Sequence, residues 1–170
     1  MKWGIAAVGL LVLFLLLTFL KSIYTDLLWY GSLDLRSVYV KVLVTRVVLF
    51  IVGAAVVAVG LAVSLYFANR QSKGPPVVPV SPEALAFLKR LVFWGSIAVV
   101  LILSVVFGAF LASHWEIFLR FANSVPFGET DPVFGKDISF YMFKLPPYQF
   151  VQGWLLGALI IMMLASLALN

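Results

Sequence analysis

The chain has 170 residues, of which 64% are hydrophobic and 11% charged, with a formal net charge of +5. Soluble domains run near half apolar and a quarter charged, and disordered tails need low hydrophobicity, so both classes are excluded. The lack of cysteine removes disulfides, thiolate metal sites and cysteine nucleophiles. The positive excess is spread between long apolar runs and forms no nucleic-acid stripe, so nucleic acid is not an expected partner.

A helix needs about 20 apolar residues to cross a hydrocarbon core about 30 Å thick. Four uncharged runs have that length: 3–20, 47–68, 91–112 and 150–169. Backbone groups in hydrocarbon must be satisfied internally, which makes each run a helix. The expected fold is therefore an all-α membrane protein with four transmembrane helices in one membrane domain, 1–170. The first run starts after Lys2 like a leader peptide. Its apolar body is longer than a usual signal core, however, and its exit, Thr18-Phe19-Leu20-Lys21-Ser22, offers no small-x-small cleavage site. An uncleaved first span is expected.

The first connection, 21–46, holds Tyr24, Trp29, Tyr30 and Tyr39 among leucines and valines. Aromatic rings with a polar tip collect at headgroup level. The pattern predicts two helices that continue past the hydrocarbon edge and meet at a turn near Gly31 to Asp34, with Lys41 and Arg46 snorkelling to the interface. The second connection carries a Pro-rich linker, 72–82, with Lys73-Gly74-Pro75-Pro76, Pro79 and Pro82, which favours stiff extended geometry. Ser81-Pro82-Glu83 then reads as a helix start: an N-cap, a proline at the first helical position and an acid at the positive end of the dipole.

The third connection, 113–149, holds the only histidine, His114, four of the seven acids and four of the eight prolines. Trp115, Phe118, Leu119 and Ala122 share one face of a 3.6-residue period, which predicts a short amphipathic interfacial helix. A structured interfacial loop follows, with turn signals at Asp131-Pro132 and Phe134-Gly135. Its candidate functional residues are Trp115, Arg120, Asn123, Asp131, Pro132, Phe134, Gly135, Lys136, Asp137 and Tyr141. Asp131 is expected to cap the turn that Pro132 begins; Asp137 is expected to pair with a base or cap a following turn. One histidine without cysteine is poor zinc material, and Asp131 and Asp137 do not fit a calcium-loop spacing, so no metal is expected. His114 reads most simply as an interfacial residue at a helix end. Its functional alternatives are a proton carrier or an axial ligand to haem or chlorophyll.

Orientation is contested. One side of the membrane carries Lys2, Arg70, Lys73, Lys89 and Arg90 against Glu83. The other carries seven bases against six acids, so base counts and net charge point opposite ways. The expectation is a multi-pass protein of the cell (plasma) membrane with a cytoplasmic N-terminus.

Small residues recur at four-residue spacing: Ala54, Ala58 and Ala62; Ser104, Gly108 and Ala112; Gly153 and Gly157. Such faces let helix backbones approach closely in lipid, within the chain or with partners. No phosphate-binding glycine loop, Gly-x-Ser-x-Gly elbow or His-Glu-x-x-His helix occurs, so no enzyme activity and no cofactor are expected.

Tyr24-Thr25-Asp26, Leu28-Trp29-Tyr30, Ser32-Leu33 and Thr45-Arg46 form one part of a longer pattern. Leu119-Arg120-Phe121, Asn123, Phe127-Gly128, Thr130-Asp131-Pro132, Phe134-Gly135-Lys136-Asp137, Ser139-Phe140-Tyr141, Phe143 and Leu145-Pro146 form the rest. Together they resemble the N-terminal region of uncharacterised protein family 0182, multi-pass membrane proteins of bacteria and archaea, over almost all of the chain. The resemblance implies a bacterial membrane architecture and supplies no catalytic residues. Members are typically several times longer, so it leaves open a truncated form, a fragment or a reduced relative. The expected role is a structural or accessory subunit packed among other membrane protein subunits in the lipid bilayer. The alternatives are part of a transporter or channel, with Lys41, Arg46 or His114 facing a cavity, and a haem- or chlorophyll-binding subunit through His114.

Overall fold

The structure, a computed structural model, describes residues 2–71 and 81–168. Of the expected linker 72–82, only Ser81 and Pro82 lie among them. The fold is all-α: α1 (Lys2–Ser32), α2 (Arg36–Gln71), α3 (Pro82–Ser113), the short α4 (Trp115–Ala122), a π-helical turn (Phe140–Lys144) and α5 (Leu145–Ala168). Among the described residues, four stretches are long and apolar enough to cross a membrane: Gly9–Ser32, Arg36–Phe67, Glu83–Ser113 and Phe140–Leu167.

The helices overrun the uncharged runs that predict them. At about 1.5 Å per residue, α2, with 36 residues, is about 54 Å long against a core of about 30 Å. Flanking charges mark where hydrocarbon has to end. They do not mark where a helix ends, because its backbone is satisfied by its own hydrogen bonds in either solvent.

The contacts divide the described residues at Val44 and Thr45. In the first unit, α1 runs through Gly31 and stops at Ser32. The Leu35 N–H donates to the Tyr30 carbonyl at 2.9 Å and the Asp34 N–H to the Gly31 carbonyl at 3.3 Å. This is a Schellman C-cap, with Asp34 in the left-handed region at φ 57°. Tyr30 and Tyr39 stack across the turn with ring centroids 5.0 Å apart.

The second unit is a bundle of the remainder of α2 with α3, α4 and α5. Its core is Val57 and Leu61 from α2, Leu111 from α3, and Trp154 and Ala158 from α5. The α2–α3 crossing depends on glycine. A Cβ on Gly108 would lie 2.7 Å from the Phe50 carbonyl oxygen and 3.0 Å from the Ala54 Cβ, and one on Gly53 would lie 3.2 Å from the Gly108 Cα. The Trp154 Nε1–H donates to the Phe107 carbonyl at 3.2 Å, tying α5 to α3. At its start, α3 has the expected cap: the Ser81 side chain accepts from the Ala84 N–H at 3.4 Å, with Pro82 opening the helix and Glu83 in its first turn.

The chain becomes helical well before residue 150. The Leu145 N–H donates to the Phe140 carbonyl five residues back, which makes a widened turn. Pro146 and Pro147 cannot donate, and in a regular helix each ring collides with the carbonyl four residues earlier. With a π turn immediately upstream, the proline pair sits inside a continuous helical segment.

Candidate functional site

The third connection gathers most of the polar chemistry. His114 is the single residue between α3 and α4, and its backbone N–H donates to the Leu111 carbonyl. Its ring is stacked on Phe150, centroids 4.3 Å apart, and lies 4.9 Å from the Phe110 ring. Nδ1 is 3.0 Å from both the Ser113 hydroxyl and the Phe110 carbonyl oxygen. The imidazole is thus held at the C-terminus of α3 by two aromatic contacts and a local hydrogen bond.

The short helix α4 forms at the predicted residues, and its apolar side meets α5: Phe118 packs edge-on to Phe150 and Phe121 to Tyr148. Trp115 accepts the Arg46 guanidinium over its ring at 5.0 Å, a cation–π contact that joins α4 to α2. On the outer side Arg120 pairs with Glu116 one turn back at 3.2 Å, with both side chains well exposed. Such a pair contributes little stability. Asn123 closes the helix, its Nδ2 donating to the Leu119 carbonyl at 2.7 Å.

The loop beyond is built around two carboxylates. Asp131 Oδ1 accepts from the Val133 N–H at 3.1 Å, and its Oδ2 accepts from the Phe134 N–H at 3.2 Å and the Tyr141 hydroxyl at 2.8 Å. Asp137 Oδ1 accepts from the Ser139 N–H at 2.8 Å and the Phe127 N–H at 3.2 Å, and its Oδ2 from the Gly128 N–H at 2.9 Å. Between them the chain folds back on itself: Thr130 pairs with Asp137 in an antiparallel bridge, and the Asp131 N–H donates to the Lys136 carbonyl at 2.8 Å. Gly135 makes the return at φ 62° and Gly128 enters the clamp at φ 80°, conformations that cost a residue with a Cβ.

These donors depress both acids. The Val133 N–H, then the Tyr141 hydroxyl, hold the Asp131 carboxyl below its ordinary value. The Ser139 hydroxyl, followed by the N–H groups of Ser139, Phe127 and Gly128, brings Asp137 down to about 2. Both acids are therefore caps, the role expected of Asp131 and one of the two weighed for Asp137. Phe127, Gly128 and Ser139 complete the clamp: Ser139 follows Asp137 by two residues, a spacing too common to single out, whereas Phe127 and Gly128 precede it by ten and nine and meet it only by folding. No group of three or more His, Asp or Glu side chains among the described residues could hold a metal ion.

The small-residue faces divide. Gly108 and Ala54 lie in the α2–α3 contact, and Ser104 is buried with its hydroxyl donating to the Val100 carbonyl at 2.6 Å. Ala58 and Ala112 are half-buried and Ala62 is exposed. The buried face of α2 instead runs Gly53, Val57, Leu61, one residue out of step with the alanine series. A Cβ on Gly153 or Gly157 would meet nothing within 4 Å. Nearby, α2 and α5 leave an apolar groove of about 510 Å³, lined by Val56, Val59, Gly60, Leu155, Leu159 and Met162 among others.

The chain is 39% identical over 153 residues to a UPF0182 protein of Rhodococcus opacus, covering 87% of this chain and 15% of that protein. It is 35% identical over 174 residues to one from Salinispora arenicola (96% and 17%) and 37% identical over 169 residues to one from Mycobacterium tuberculosis (95% and 17%). The chain thus spans about a sixth of the length of the curated relatives it matches. No solved structure matches it. The model of the Uncharacterised protein family (UPF0182) matches residues 3–170, and the chain belongs to that family.

Proposed function

We propose that this chain is a structural or accessory subunit of the cell membrane, spanning it four times and packing against other membrane proteins without catalysis of its own. The N-terminus is cytoplasmic in this reading. One contrast carries it. Gly53 and Gly108 are consumed by close helix contact inside the chain, whereas Gly153 and Gly157, one turn apart on α5, face open space. Small residues at this spacing let a second helix approach in lipid, where association depends on close fit because the tails are as apolar as the side chains.

The test is purification from native membranes in mild detergent. A membrane protein should co-purify with the chain, and its yield should fall when Gly153→Leu and Gly157→Leu fill the open face. A solely monomeric chain with no co-purifying protein would overturn the reading.

A further inference from the structure

Val133 and Phe134 are 76% and 74% exposed, the two highest values among the described large hydrophobic residues. They are neighbours at the tip of the turn that Asp131 clamps, and their own N–H groups are the ones the Asp131 carboxylate holds. The pair is therefore presented on a fixed backbone. Apolar residues held this way in water would be a solubility liability.

Two contacts tie this tip to the start of a membrane-length stretch. The Tyr141 hydroxyl donates to Asp131 Oδ2 at 2.8 Å, and Tyr141 is the second residue of the membrane-length stretch Phe140–Leu167. The Lys136 ammonium sits 5.9 Å from the centroid of the Phe140 ring, the first residue of that stretch. Val133 and Phe134 follow Asp131 by two and three residues, so they begin within about 7–11 Å along the chain from the Tyr141 contact. The headgroup layer on each side of the hydrocarbon is about 5–8 Å thick. The 28 residues of that stretch make about 42 Å of helix, close to the thickness of a bilayer with its headgroups, about 40–45 Å. When it spans, its first residues and the turn tied to them therefore come at headgroup level, with an ammonium placed to meet lipid phosphate.

We infer that Val133 and Phe134 form a rigid wedge that inserts into the interfacial layer of the lipid bilayer, with Lys136 at the headgroups beside it. The Asp131 and Asp137 clamps set the backbone in advance, so insertion orders no loop. The inference rests on the reading that the stretch beginning at Phe140 crosses a bilayer.

The chain has no cysteine, so single labels can be placed cleanly. Val133→Cys and Phe134→Cys, each carrying an environment-sensitive fluorophore, are reconstituted in phosphatidylcholine–phosphatidylglycerol vesicles. Glu129→Cys serves as the aqueous reference and Leu101→Cys, on an exposed face of α3, as the hydrocarbon reference. Each tip variant leaves the other apolar residue and both clamps in place. Labels at 133 and 134 should be quenched by lipids bearing a nitroxide near the glycerol, and severalfold less than the label at 129 by aqueous iodide. Iodide quenching equal to that at 129 overturns the wedge, as does protection from both quenchers, which would mean that protein covers the tip. If the Leu101 label is also in water, the spanning itself fails and the wedge with it. If Leu101 is in lipid and the tip is not, the wedge alone is refuted.

Discussion

Replacing Gly108 with alanine tests the α2–α3 contact directly. The new methyl carbon would stand 2.7 Å from the Phe50 carbonyl oxygen, 3.0 Å from the Ala54 Cβ and 3.1 Å from the Ala54 nitrogen. Two of these atoms are helix backbone, so relief requires α2 and α3 to move apart by roughly half an ångström, toward ordinary contact distances of about 3.5 Å or more. Overfilling of this kind costs about 1–3 kcal/mol. Alanine also gains about 1 kcal/mol over glycine in helix propensity. Gly153→Ala carries the same propensity gain with nothing to collide with, so comparing the two variants cancels it. Gly108→Ala should therefore be less stable than Gly153→Ala by about 1–3 kcal/mol. Gly60→Ala should fall between them, because its nearest neighbours are the Sδ and Cε of Met162, the far end of a flexible side chain. Reversible unfolding in mixed detergent micelles, followed by circular dichroism, measures all three. Equal stability of Gly108→Ala and Gly153→Ala would refute the close crossing.

Trp154→Phe keeps an aromatic ring against Phe107 but loses the indole N–H that reaches the Phe107 carbonyl. A loss of about 1 kcal/mol is expected in the same unfolding experiment, and an unchanged midpoint would show that the bond contributes nothing. Asp137 predicts a pH dependence of the loop. Its folded value is depressed from 3.8 to about 2, so its stabilisation is complete above the unfolded value and is lost as pH falls through about 2. Amide exchange at Phe127, Gly128 and Ser139, corrected for intrinsic rates, should lose protection across that window. Asp137→Asn should abolish the dependence, and protection that persists below pH about 2 would contradict the clamp.

The elements most legible in the sequence are those whose cause is local. Ser81-Pro82-Glu83 starts α3 as read, because capping needs only neighbours in the chain. Trp115 to Ala122 forms its helix on a periodicity visible within eight residues. Asp131 caps its own turn for the same reason. The turn expected near Gly31 to Asp34 forms there, with α1 ending at Ser32 and the left-handed C-cap falling on Asp34, where an aspartate is a weaker sequence signal than a glycine. The last part of the third connection, expected over 113–149, is already helical from Phe140, because a π turn before Pro146 and Pro147 lets the helical path continue through them.

By itself, the sequence determined that four stretches of this chain suit hydrocarbon and that its charges belong outside them. Transfer of side chains and backbone into lipid is a sum over residues and needs no knowledge of neighbours. Only the tertiary structure decided which small residues serve contact within the chain. Gly53, Gly108 and Gly60 face other helices, whereas Gly153 and Gly157, with the better motif, do not. Helix faces become distinguishable only when another helix arrives, since lipid itself treats all apolar faces alike. The same holds for the loop. Its two aspartates are plain in the sequence, but the Tyr141 hydroxyl that fastens Asp131 to the π turn before α5 is joined to it only by folding.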